Sequence, residues 1–308
     1  DVLLAEDAGD PTATAGHAGL GDLARATAEQ LKSQGMTSVS LRLDDTLFTG
    51  AQWNDGWEAG NEQYVAKIQP IMVDISSTQN QGYSADPAME AAQAFARHLS
   101  DAGITVDGDA SRAAASSGAR ELASVSSAPL SDILALSLKT SDNTMTEVEG
   151  RLVAVQAKET ADFAGASKAV AAQLRKDGFD TSGLTLLDSS GLAKGNKVPA
   201  RLLTQILARS AGDKGGSAGR TLIADLPVGA LDGTLGNRLH DTAAAGTVRA
   251  KTGSLEQTSS LAGVVTTADG RLLAFSILTN DFPANGSTAA AAAIDNHFVA
   301  PLAACGCS

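Results

Sequence analysis

The last third of the chain constrains its fold most. Residues 246–253, 261–267 and 272–279 each alternate between apolar and polar positions, and the last two runs are joined through Ala268-Asp269-Gly270. Asp-Gly between two alternating runs is a strong hairpin signal, because glycine reaches the left-handed backbone conformation that a tight turn requires. Three such runs with short joins predict an antiparallel meander. A sheet of this kind must bury at least one face, and residues 287–300 are predicted to form a helix that covers it.

Upstream, helix and strand signals alternate. Leu20, Leu23, Ala24, Ala28 and Leu31 recur at helical spacing and stop at Gly35, after which residues 38–43 alternate as a strand. Asp86 as N-cap, Pro87 at the first helical position and Gly103 as terminator bracket a second helix with Met89, Phe95 and Leu99 on its inner face. A short strand at residues 104–106 follows. One helix-then-strand unit occurring twice before residue 110 predicts a compact α/β subdomain. The polar stretches 75–85 and 110–119 read as connections, and residues 130–139, 144–157, 162–176 and 198–209 as helices. The expected organisation is α/β (α+β), with an accessory α/β subdomain over residues 1–126 and a second domain over 127–308.

Composition narrows the function classes. With 308 residues, 43% of them hydrophobic, the chain can bury a sizeable core. A net charge of -12, with 23 Lys plus Arg in no basic cluster, argues against nucleic acid and against an anionic membrane surface. No apolar run approaches the length of a membrane span, so no integral membrane segment is expected. The start, Asp1-Val2-Leu3-Leu4-Ala5-Glu6, lacks the basic residues and cleavage site of a signal peptide and reads like an interior cut. Cys305 and Cys307 are too close to form an unstrained bridge with each other, so a free or intermolecular pair is expected. His17, His98, His240 and His297 have no metal-ligand spacing, and no Walker loop or dinucleotide fingerprint occurs. Neither metal nor cofactor is expected. Trp53 and Trp57 flank a turn and read as packing residues.

Two short motifs carry chemistry. Lys251-Thr252-Gly253 lies on the first strand of the meander, and Ser141-Asp142-Asn143 lies between two predicted helices, where Asn143 or Asp142 is placed to cap the second. Average residue usage yields Lys-Thr-Gly by chance in roughly one chain of this length in ten, and Ser-x-Asn about once per chain. Each therefore has a bland reading, as a strand ending in a glycine turn or as a helix cap. The conjunction decides, since each motif has the context and order that an acyl-serine site needs. Such a site requires a hydroxyl to relay a proton to the leaving amine, a role suited to Ser141. Asn143 has a side-chain amide to hold either the substrate amide or a general-base lysine. Lys251 and Thr252 are expected to attract a substrate carboxylate, Gly253 to let a substrate backbone come close, and the Ser254 N–H to serve as an oxyanion donor.

Over nearly its whole length the chain resembles the class C low-molecular-mass penicillin-binding proteins, the D-alanyl-D-alanine carboxypeptidase/endopeptidase family. The resemblance rests on Gly9-Asp10-Pro11-Thr12, Asp44-Asp45-Thr46-Leu47-Phe48, residues 127–143, Asp188-Ser189-Ser190-Gly191-Leu192 and Gly233-Thr234-Leu235-Gly236-Asn237-Arg238, in that order. It implies a penicillin-binding/β-lactamase-like transpeptidase domain, an antiparallel sheet with helices on both faces plus a helical region. It also implies an extracytoplasmic hydrolase that acts on peptidoglycan stem peptides ending in D-Ala-D-Ala and is acylated by β-lactams. Leu192 and Lys194 are added as substrate-binding candidates, Lys194 because it could reach an acidic substrate group.

Two departures stand out. No lysine in the chain has a serine three residues before it, so the Ser-x-x-Lys nucleophile motif is absent, and it is expected in an N-terminal segment of the same protein lying upstream. The insertion common in this family after the Asp-Asp-Thr-Leu-Phe region is short. A class A β-lactamase shares both motifs but needs a Glu with Asn four residues on, which does not occur here. A wall-binding protein that keeps the cleft without the chemistry is the other alternative.

Overall fold

The computed structural model describes residues 1–73, 75 and 82–306. In chain order its principal elements are α1 (Leu20–Ser33), β1 (Ser38–Val39), β2 (Arg42–Leu43), α2 (Pro87–Asp101), β3 (Thr105–Val106), β4 (Ser111–Arg112), α3 (Leu130–Thr140) and α4 (Asn143–Ala157). There follow α5 (Phe163–Lys176), α6 (Ala200–Ala211), α7 (Gly216–Asp225), β5 (Val248–Leu255), β6 (Thr258–Thr266), β7 (Leu272–Asn280), α8 (Ser287–Ile294) and α9 (Ala300–Ala304). Two compact units emerge. The first comprises Asp1–Ile133, Asp142–Val170 and Leu187–Lys194, the second Leu134–Ser141, Ala171–Leu186 and Gly195–Ser308.

In the first unit α1 and α2 pack on each other, with Ala24, Ala28 and Leu31 meeting Leu99 and Ile104. Asp86 caps α2 by accepting the Met89 N–H, and Pro87 opens its first turn, where a missing N–H costs nothing. Behind the helices β1 runs parallel to β3, and β2 parallel to β4. The strand expected over residues 38–43 is therefore two short steps. Ser111–Arg112, inside a stretch expected to be a connection, is a strand because β2 recruits it, a tertiary pairing that local propensity does not report. Of the other expected connection, 75–85, residues 76–81 lie outside the described residues.

Helix α4 buries two charged residues one turn apart, Glu147 at 0% and Arg151 at 1% exposure. Arg151 donates from Nη1 to the carbonyls of Thr49 (2.8 Å) and Ala161 (2.9 Å) and from Nη2 to that of Ala51 (2.6 Å), and lies over the Phe163 ring at 4.5 Å. Glu147 accepts the backbone N–H groups of Ser189 (3.0 Å) and Ser190 (2.7 Å). Beside it Asp188 accepts from Trp57 Nε1 (2.8 Å), Gly191 N (3.0 Å) and Ala193 N (2.7 Å), so the loop over residues 188–193 is wound around two buried carboxylates. Trp57 in turn meets Trp53 and Phe163 edge-on, with ring centroids 4.8 and 5.3 Å apart.

In the second unit β5, β6 and β7 form the antiparallel meander, with Lys251 opposite Ala262 and Gly263 opposite Phe275. Val248, Ala250, Leu261, Val265 and Phe275 share one face and are buried with Leu235, Ile294, Val299 and Ala303. The other face carries buried Val264, and α6 packs against β6 and β7. Helix α7 carries no clear apolar period; it is held by a close approach at Gly219, where a Cβ would lie 2.8 Å from Ser210 Cα. The C-terminal helix expected over residues 287–300 is interrupted by a π-helical turn at Asp295–Val299, where Asp295 takes a bidentate pair from Arg238 Nε (2.9 Å) and Nη2 (2.7 Å). Cys305 is disulfide-bonded rather than free, against the expectation; Cys307 lies outside the described residues.

Burial, opposed by the Ser190 contact and helped by the Asp188 charge, pushes the Glu147 carboxyl up to about 7. The folded chain then holds a proton that the unfolded chain releases near 4.5, so stability falls as pH rises from 4.5 to 7 and levels off above. In Glu147→Gln the loss of unfolding free energy between pH 5 and pH 8, measured with urea, should shrink by about 2 kcal/mol. An unchanged pH dependence would mean that Glu147 titrates normally.

Candidate active site

Ser141 ends the segment that follows α3, and its backbone is in the left-handed region at φ 57°. Asp142, the next residue, caps α4 by accepting the Met145 N–H at 2.8 Å. A residue between two helices whose successor must be extended to cap the second has to reverse the chain, which forces this unusual conformation on a serine. Of the two cap candidates in the sequence, Asp142 is therefore the one used.

Within the second unit the first residue of one motif meets the first residue of the other. Lys251 Nζ donates to Ser141 Oγ at 2.5 Å and to its own neighbour's carbonyl, Thr252 O, at 2.9 Å. Among the described residues Lys251 makes no ion pair, and two of its three ammonium hydrogens are engaged. Burial without a carboxylate partner lowers its pKa to about 8. The ammonium is still about nine-tenths protonated at pH 7, so it remains a donor, and the Ser141 hydroxyl must aim its own hydrogen elsewhere.

The strand that carries Lys251 has an open edge. Ala250 N–H donates to Pro227 O (2.9 Å) and Val248 O accepts from Gly229 N–H (3.0 Å), so these even-numbered residues of β5 turn their peptide groups away from β6. The alternation of an antiparallel ladder turns the N–H groups of Thr252 and Ser254 to the same side, where no strand pairs with them among the described residues. Thr252 Oγ1 donates to Thr234 Oγ1 at 2.9 Å. Gly253 has a reason that the sequence did not reveal: a Cβ there would lie 2.3 Å from Ser260 Oγ on β6.

The other expected site residues lie in the first unit. Asn143 Nδ2 donates to Tyr64 O at 3.0 Å. Leu192 is buried in the loop wound around Asp188, and Lys194 pairs with Glu58 at 2.5 Å. Two residues near the Ser141–Lys251 pair were not among the expected site residues, although both fall in stretches that carry the resemblance. Lys139, two positions before Ser141, donates to Asp232 Oδ2 (2.7 Å) and Leu226 O (2.8 Å), and Thr234 orients Thr252. A lysine in the last turn of a helix is ordinary, and nothing local ties it to residue 232.

Comparison with known proteins adds an independent line. A profile of the D-Ala-D-Ala carboxypeptidase 3 (S13) family matches residues 1–84 and 76–300. The chain belongs to the D-Ala-D-Ala carboxypeptidase 3 (S13) family. It is 37% identical over 304 residues to a carboxypeptidase of Mycobacterium tuberculosis, covering 92% of this chain and 64% of that protein. It is 36% identical over 316 residues to the carboxypeptidase DacB of Mycolicibacterium smegmatis, covering 99% and 66%. This S13 family member thus spans just under two thirds of the length of either relative. The crystal structure of penicillin binding protein 4 (dacB) from Haemophilus influenzae superposes with a TM-score of 0.71 at 23% identity, covering 90% of this chain and 75% of that one. The expected mixed helix-and-sheet fold of the penicillin-binding type is the one found.

Gly253→Ala should lower stability by about 1–3 kcal/mol through overpacking, and Ser260→Ala in the same chain should restore most of it. Thermal unfolding of the two singles and the double reads this out. A Gly253→Ala chain that melts like the parent would leave clearance for a ligand as the reason for glycine.

Proposed function

We propose that this S13 family chain is the larger part of a serine-type D-Ala-D-Ala carboxypeptidase/endopeptidase that acts on peptidoglycan stem peptides outside the cytoplasm and is acylated by β-lactams. The observation that carries the reading is the 2.5 Å contact between Lys251 Nζ and Ser141 Oγ beside the open edge of β5. In the proposed division of the chain, residues 127–308 hold most of the transpeptidase-type domain and residues 1–126 an accessory subdomain. The nucleophilic serine and its lysine are supplied by a segment upstream of Asp1.

The peptide lies along the outer edge of β5 with its terminal carboxylate near the unpaired Lys251 ammonium and Thr252. The upstream serine, losing its proton to its lysine, attacks the carbonyl carbon of the penultimate D-Ala. The tetrahedral oxygen takes the negative charge and is met by the outward Ser254 N–H. Collapse breaks the C–N bond, and the departing amine needs a proton. Ser141 delivers it and takes in return the proton that the upstream lysine removed from the nucleophile, because Lys251 occupies a lone pair of its Oγ and leaves its hydrogen directed away from Lys251. Water then repeats the sequence on the acyl-serine and releases the shortened peptide. Asn143 serves to hold the substrate amide or the general-base lysine, and Leu192 and Lys194 contribute to the substrate groove. The scheme requires neither metal nor cofactor.

In the full-length protein, Ser141→Ala and Lys251→Ala should each slow acylation by labelled penicillin about a hundredfold or more, read by intact mass against time. Near-normal labelling of either variant would overturn its role. An adduct on the 308-residue chain by itself would place the nucleophile inside it. Failure of the full-length protein to label would favour a non-catalytic wall-binding protein.

A further inference from the structure

The contacts of Lys139 and Asp232 form a closed circuit with those of the Ser141–Lys251 pair. Starting at Ser141 Oγ, the circuit passes to Lys251 Nζ at 2.5 Å and along one peptide to Thr252. From there it passes through Thr252 Oγ1 to Thr234 Oγ1 at 2.9 Å, then back two residues to Asp232. Asp232 Oδ2 takes the Lys139 ammonium at 2.7 Å, and two residues along the chain return to Ser141. Three side-chain contacts thus join three very short stretches of backbone, all within the second unit.

The segment that holds Asp232 is itself fastened on both sides. Toward β5, Pro227 O and Gly229 N bond Ala250 N and Val248 O. Internally, Asp232 Oδ1 accepts the Val228 N–H at 2.7 Å. Toward α3, Lys139 Nζ also donates to Leu226 O at 2.8 Å. At Gly233 the backbone takes φ 56°, and a Cβ there would lie 2.8 Å from Lys139 O, so the end of α3 and this segment are in close backbone contact. Although partial burial opposes ionisation, the Lys139 ammonium and the Val228 N–H, with the charges of Lys139 and Arg249, hold the Asp232 carboxyl below its usual range. Arg249, on β5, donates to Ala224 O and adds positive charge on the same side.

A surface ion pair of this kind stabilises little, because Asp232 is 42% exposed along its side chain. Its geometry does something else. Ser141, in a left-handed conformation, has no helical hydrogen bonding of its own to fix its side chain, and Lys251 has no carboxylate partner among the described residues. Each depends on the other's backbone being held. We infer that Lys139 and Asp232 are positioning residues, whose ion pair closes the circuit that sets Ser141 Oγ against Lys251 Nζ. The inference rests on the reading of Ser141 and Lys251 as the site, and deepens it.

Titration of Lys251 tests the circuit without any turnover. In the full-length protein labelled with 13C at lysine Cε, the Lys251 resonance, assigned by its loss in Lys251→Arg, is followed against pH. Opening the circuit admits water to the ammonium, so Lys139→Met and Asp232→Asn should each raise the midpoint from about 8 by half a unit or more toward the ordinary lysine value. Lys139→Arg, which keeps the charge pair, should retain the parent midpoint. Thr234→Val opens the circuit at its other join and should give the same rise, which keeps the test available if Lys139→Met fails to fold. A midpoint unmoved in the folded Asp232→Asn and Thr234→Val proteins overturns the inference. Penicillin labelling runs as a separate arm. Labelling that ignores Ser141→Ala and Lys251→Ala while the midpoint still shifts would refute the assigned chemistry and leave the circuit standing.

Discussion

The pairing register of β5 with β6 is the constraint on which the second unit depends. Side chains alternate across a sheet, so a slip of one residue would send Lys251 into the cluster of Leu261, Val265, Ile294 and Val299, and would turn Ala250 out to the other face. The hydrophobic face therefore selects the register, and the register places the lysine. Two glycines make the selected pairing possible. Gly253 leaves room for the Ser260 hydroxyl, and Gly263 lies where a Cβ would be 2.1 Å from Arg249 O. Packing of a sheet face, with no catalytic content of its own, thus delivers an ammonium group to Ser141.

Two lysines in the second unit are treated in opposite ways. Lys139 is neutralised by Asp232 and donates to two protein oxygens, Asp232 Oδ2 and Leu226 O. Lys251 is buried beside hydroxyl and carbonyl oxygens, none of them carrying a full charge. Pairing spends the first charge on geometry; leaving the second unpaired keeps its field available to an anion arriving from solvent.

Much of the architecture could be read before the structure, because its signals are local. The cap at Asp86, the terminator at Gly103 and the Asp269-Gly270 turn each act over three or four residues, and all fall where expected. What could not be read depends on partners distant in sequence. Ser111–Arg112 becomes a strand only because Arg42–Leu43 lies beside it, and Glu147 becomes a buried acid only because the 188–193 loop closes over it. The site divides along the same line. Ser141 and Lys251 announced themselves as members of short motifs, whereas Asp232 sits 93 positions from Lys139 and Thr234 reaches Thr252 across 18. The C-terminal helix shows a third kind of limit, since Arg238 draws Asp295 into a π turn that alanine-rich sequence around it gives no hint of.

The left-handed backbone at Ser141 has an evolutionary corollary. At φ 57° the conformation costs a residue with a Cβ about 1 kcal/mol that glycine does not incur. Under the proposed relay role, folding and chemistry press this position in opposite directions, since selection for stability alone favours glycine. Lys158 (φ 60°), Ala230 (φ 60°) and Leu239 (φ 67°) adopt the same conformation, so the torsion alone marks a reversal of the chain, and only the contact with Lys251 sets residue 141 apart.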